Sequence, residues 1–215
     1  MSVAERMSQI QSAFLEAKEF ALSSKQNKHL SDYLSAKSGD FTSVSFEGAS
    51  MGLALNSYNK TGDFSGWNWF IEKYSAAHTS QIYVGLGWAI AEVDIDPMPV
   101  INTLSPAYGW RVIDGFGYYH GILRRRLAVK QQLIPDTVSN SFISAYDQGL
   151  GRSFWYNAKG EINRVLETML LFPKDRNPAF WRGLGVALTY VGGTSHETIK
   201  TVKEAASQSN LSNLK

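Results

Sequence analysis

Charged side chains recur at matched places in this chain. Glu47 and Asp114 each stand directly before a glycine, and Asp147 stands two residues before one. Arg152 follows Asp147 by about one helical turn, and His120 follows Asp114 by nearly two. A carboxylate on the glycine-marked, inward face of a helix is costly to bury unless it is paired or hydrogen-bonded. Two chemistries fit that constraint. In one, the acids and bases face a shared aromatic-lined groove, and Asp114 or Asp147, raised in pKa, serves as proton donor with His120, Arg152 and Glu47 beside it. In the other, Asp147 pairs with Arg152 or Arg111 and stitches neighbouring helices together. No nucleophile, base and orienter can be assigned from spacing alone.

Other motifs resolve into ordinary structure. Gly115-Phe116-Gly117-Tyr118-Tyr119-His120-Gly121 has the look of a dinucleotide loop. A phosphate loop, however, is needed once and after a strand, whereas this pattern repeats inside helical segments. His196-Glu197-Thr198-Ile199-Lys200 begins like a zinc-protease helix, but Lys200 stands where the second His is required, and Ser195 reads better as a helix cap. Asp94-Ile95-Asp96 reads as a polar helix end before the Pro97 turn rather than a cation site. Arg124-Arg125-Arg126, followed by Lys130, reads as the basic, solvated end of a helix, with a phosphate or acidic-partner site as the alternative. With four His, none at ligand spacing, and no Cys, we expect no metal site and no cofactor.

The elements that must position these groups are marked by glycine. A glycine, a second small residue two positions on, and a mixed aromatic and aliphatic run recur five times, with first glycines at 48, 85, 115, 149 and 183. The steps are 37, 30, 34 and 34 residues, close to the period of helix-turn-helix repeats. The expected fold is all-α: an αα-repeat array of the TPR/HEAT-like solenoid kind with about five glycine-marked repeats. Glycine-marked helices are predicted over 46–58, 81–93, 108–123, 141–157 and 178–192, with partner helices near 67–75, 161–172 and 196–208. The predicted organisation is one domain over 1–215: N-terminal helices in 1–40, repeats in 41–193, and a terminal helix with a polar tail in 194–215. Two glycines per helix cost about 1 kcal/mol each against alanine, so they need a compensating reason, and close approach of a neighbouring backbone supplies it. No polar capping repeat follows the fifth copy, so the natural chain is expected to continue beyond residue 215.

Bulk properties narrow the classes. A hydrophobic content of 44% excludes wholesale disorder, and a net charge of +2 gives no reason to expect a nucleic acid or an anionic membrane as partner. The first twenty residues read as an amphipathic helix rather than a signal peptide, and no run reaches the length of a membrane span. A cytoplasmic location is the expectation, with a homo-oligomer left open. The aromatic content of 13% is enough to line an apolar cavity as well as fill a core.

Four blocks, Phe46 to Ala54, Gly109 to Tyr118, Tyr146 to Ser153 and Phe180 to Ala187, resemble a bacterial family of unknown biochemical function. This is domain-of-unknown-function family 1702, whose members are labelled enediyne biosynthesis proteins of the UnbL type. The resemblance implies an origin beside type I polyketide synthase genes and a role in making or handling a polyketide-type metabolite; it supplies no catalytic residues. We therefore expect an accessory protein that binds an apolar intermediate or a polyketide synthase component through a groove lined by Trp88, Tyr118, Trp155 and Trp181. The alternative is an enzyme, an isomerase or cyclase working by acid/base chemistry from Asp114 or Asp147 on a polyene or terpenoid.

Overall fold

The computed structural model describes residues 1–212, which are helical, with turns and no strand among them. The helices are α1 (Val3–Ser23), α2 (Asn27–Ser35), α3 (Thr42–Thr61), α4 (Asn68–Val93), α5 (Met98–Ile101), α6 (Trp110–Leu123), α7 (Ile143–Asn157), α8 (Ile162–Met169), α9 (Asn177–Val191) and α10 (His196–Ser212). A π-helical turn occupies Arg126–Lys130. Each predicted glycine-marked stretch lies within a helix or overlaps most of one. The predicted partner at 67–75 is not separate: it runs on into the next glycine-marked helix, giving the 26-residue α4 with one non-helical residue, His78, at φ −131°. No glycine or proline lies between 68 and 84 to end the helix, so the chain kinks instead of turning.

Punctuation elsewhere follows the local chemistry. Gly62 ends α3 in the left-handed conformation at φ 77°, its N–H bonding the Tyr58 carbonyl. Asp94 ends α4 in the same region, and the Asp96 carboxylate accepts the Met98 N–H at 2.8 Å. These two acids thus form the helix end and turn that their sequence suggests. Ser195 Oγ accepts the Thr198 N–H at 3.1 Å and opens α10.

The chain divides into two compact units, Ser8–Phe116 and Met1–Met7 with Gly117–Lys215, the boundary falling inside α6. In the Ser8–Phe116 unit α3 is buried from Val44 to Ser57, so it is enclosed on all sides rather than along one stripe. A Cβ on Gly48 would lie 2.1 Å from the Phe14 carbonyl oxygen of α1, and one on Gly52 would lie 2.1 Å from that of Lys18. On α4, Gly85 abuts the Glu47 carbonyl of α3 while Gly87 abuts the Val112 carbonyl of α6. Residues two apart on a helix point about 200° apart, so one glycine pair admits a neighbour on each side. α6 returns the contact through Gly115 against Val84. Buried polar groups are satisfied across the same seams: Ser50 Oγ donates to the Ile82 carbonyl at 2.6 Å and accepts the Trp67 indole N–H at 2.7 Å.

The other unit uses the same device. Gly117 abuts the Tyr146 carbonyl of α7, Gly151 abuts Phe180 of α9, and Gly183 abuts the Gln148 carbonyl. Phe154, Phe172 and Phe180 pack together with centroids 4.8 to 5.8 Å apart. Gly185 is different, since a Cβ there would meet nothing within 4 Å.

Candidate functional site

The densest buried polar cluster among the sequence-predicted residues lies in the Gly117–Lys215 unit, where α6 meets α7 through Gly117. Glycine at that point lets α7 approach closely enough for side chains of the two helices to interlock. His120 and Tyr146 are 5% and 0% exposed, and His120 Nδ1 lies 3.1 Å from the Tyr146 hydroxyl. The hydroxyl also reaches toward the Leu133 carbonyl at 3.5 Å. Burial pushes the Tyr146 phenol far above its ordinary range, with Asp147 adding to the rise and Arg176 and Arg124 opposing it. Tyr146 therefore keeps its proton at any physiological pH.

Asp147, 1% exposed, is held by a partner the sequence did not suggest. Arg176, from the turn before α9, grips it with both sides of the guanidinium: Nε to Oδ2 at 2.9 Å and Nη2 to Oδ1. The guanidinium is itself fixed over the rings of Phe172 and Phe180, 5.0 and 5.5 Å from their centroids. Burial raises the Asp147 carboxyl above its ordinary value, while the Arg176 hydrogen bonds and charge oppose the rise. The expected pairing of Asp147 with Arg152 or Arg111 is thus replaced by one with Arg176. Arg152 lies instead over the Tyr118 ring at 4.5 Å, and Arg111 lies over Trp110 at 4.5 Å. Arg176 stands 29 residues after Asp147, short of the repeat steps of 30 to 37 residues, so no spacing in the sequence marked it.

The remaining predicted residues are distributed as follows. Glu47, Trp88 and Asp114 belong to the Ser8–Phe116 unit and are 4%, 7% and 2% exposed. Trp88 packs on Phe14 with centroids 5.1 Å apart. Tyr118, Trp155 and Trp181 belong to the other unit. Tyr118 sits beside Tyr156 at 5.7 Å, Trp155 is 1% exposed, and Trp181 is partly buried. The structure therefore brings together His120, Tyr146, Asp147 and Arg176 along one seam, with Tyr118 and Arg152 paired on the same two helices. Among the described residues no three His, Asp or Glu side chains are grouped so as to hold a metal ion. Chemically, the seam offers a buried imidazole against a protonated phenol, and a carboxyl whose two oxygens are already engaged.

Such a molecule is defined by its class first: an all-helical protein whose helices meet backbone to backbone at paired glycines. The chain matches the family described as "Protein of unknown function (DUF1702)" over residues 1–212, and it belongs to that family. Neither a search of curated proteins nor one of solved structures found a match to it.

Proposed function

We propose that the protein is a non-catalytic accessory of polyketide- or enediyne-type natural-product biosynthesis, an αα-repeat array that binds an apolar intermediate or a synthase component. The observation that supports the non-catalytic part is the bidentate Asp147–Arg176 pair, which removes one of the two acids, Asp147 and Asp114, that the enzyme reading needs. A carboxyl that donates a proton needs a free oxygen facing its substrate, and both oxygens of Asp147 are taken by a guanidinium that aromatic rings hold in place. The repeat part is supported by the glycine-marked segments, which recur every 30 to 37 residues and in each of which at least one glycine meets a neighbouring backbone. The biosynthetic context is carried by the family resemblance alone.

Native mass spectrometry of protein purified from its producing host, with and without denaturing release, tests this directly. A stoichiometric apolar molecule, or a co-purifying synthase polypeptide, is the expected result. Purified protein that converts a polyene without any partner would overturn it. A second reading, as an acid/base enzyme, is favoured by the buried His120–Tyr146 contact, which resembles a poised proton-transfer pair. A folded His120→Gln variant with full function in the producing cell would remove that reading.

A further inference from the structure

Five leucines of the Gly117–Lys215 unit stand in solvent. Leu123 ends α6, Leu127 lies in the π turn, Leu133 follows it, and Leu170 and Leu171 follow α8. Their exposures run from 44% at Leu127 to 83% at Leu170. Scattered surface leucines are ordinary, but these are gathered. The Leu133 N–H bonds the Leu127 carbonyl at 3.1 Å, and the Gln132 side-chain amide donates to the Leu171 carbonyl. Leu123 precedes Leu127 by one turn. The backbone at Gln132 is left-handed at φ 55°, which returns Leu133 to Leu127. A residue with a side chain adopts that conformation at a cost. Arg176 reaches its carbonyl at 3.5 Å and helps hold it.

Cations are interleaved with the first three of these leucines along the chain. Residues 123–133 contain Arg124, Arg125, Arg126 and Lys130 and no acidic residue. Arg125, Arg126 and Lys130 are exposed and form no ion pair among the described residues. Asp136, Glu167 and Asp175 flank the two stretches in sequence and moderate the charge.

The occupant must accept aliphatic tips and cations together. Protein interfaces centre on aromatic as well as Arg anchors, and here the exposed apolar groups are all leucine, with no Trp or Tyr among them. A second copy would set two cationic surfaces against each other. An anionic bilayer meets both demands, its headgroups taking the cations and the upper acyl layer taking the leucines. We infer that this leucine–arginine surface docks the protein peripherally on a membrane containing anionic phospholipid. Peripheral docking asks for no membrane-crossing helix, and no helix among the described residues is long and apolar enough to cross.

Co-sedimentation of the full chain with vesicles tests the assignment. The protein is expected to bind vesicles of phosphatidylcholine mixed with phosphatidylglycerol, to ignore pure phosphatidylcholine, and to release at high salt. The triple variant R125Q/R126Q/K130Q should lower partitioning roughly a hundredfold, at about fivefold for each cation. The exposed-site variant L170S/L171S should lower it roughly tenfold with an unchanged helical circular dichroism spectrum. Absence of binding to the mixed vesicles, or binding that both variants leave intact, would overturn the inference. So would a dimer that L170S/L171S dissolves, or capture of an acidic polypeptide without vesicle binding, since either would assign the surface to protein.

Discussion

Asp147 shows how one buried charge constrains its surroundings. Its partner Arg176 is both an ion-pair and a cation–π residue, so Arg176→Met should leave an uncompensated carboxyl and destabilise the fold by about 3–5 kcal/mol in urea denaturation. The double variant D147N/R176M should recover most of that loss, because neither charge then remains to be buried. Lack of recovery would mean that the guanidinium matters chiefly for its contacts with Phe172 and Phe180. The pair also sets a pH dependence. Burial raises the folded-state carboxyl above its ordinary value of 3.8, so the folded chain binds this proton more tightly than the unfolded one. The contribution of Asp147 to stability is then fully present below that ordinary value, and is lost as pH rises through the higher folded value. The stability of the wild type relative to Asp147→Asn should therefore fall between acid and neutral pH. The opposite slope would show that Arg176 outweighs burial.

Glycine pairing is the rule at the scale of the element. On α4 the i, i+2 pair Gly85 and Gly87 lets two neighbours approach from opposite sides, whereas Gly185, the second glycine of the pair on α9, meets nothing. Gly87→Ala and Gly183→Ala would each press a methyl to within about 2 Å of a carbonyl oxygen, and each should cost about 1–3 kcal/mol or more. Gly185→Ala meets open space in the middle of α9, so it should gain up to about 1 kcal/mol from helix propensity alone. Thermal denaturation of the three single variants would separate these signs. A destabilising Gly185→Ala would indicate that something packs on that face in solution. α4 gives a second lesson, because glycine marked where a helix packs, while the lack of a breaker before it decided that the helix would be long.

At the scale of the whole molecule, the glycine seams at Gly87 and Gly183 fall in different compact units. The residues that abut Gly87 are Val112, Gly115 and Phe116, and those that abut Gly183 are Gln148 and Arg152, so the two sites share no neighbour. The costs of Gly87→Ala and Gly183→Ala should therefore add to within about 0.5 kcal/mol in the double variant. A larger discrepancy, measured by equilibrium denaturation, would show that the two glycine sites are energetically coupled. Charge is distributed as unevenly as packing. The net +2 conceals a stretch with four cations and no acid at 123–133, and composition averaged over the chain gave no reason to look there.

The sequence by itself determined the helical class, the places where helices pack and several of their ends. Those depend on local chemistry: glycine spacing, proline and glycine punctuation, and hydroxyl or carboxylate caps at Ser195 and Asp96. It also singled out Asp147 and His120 as charges that would need partners. Only the tertiary structure decided who those partners are. Arg176 and Tyr146 lie 29 and 26 residues away in sequence, and pairing at that separation depends on how adjacent helices are aligned along their axes. The same holds for the exposed leucines, which local pattern cannot tell from core residues because burial is a property of what packs above a side chain, and the chain in one dimension does not contain that.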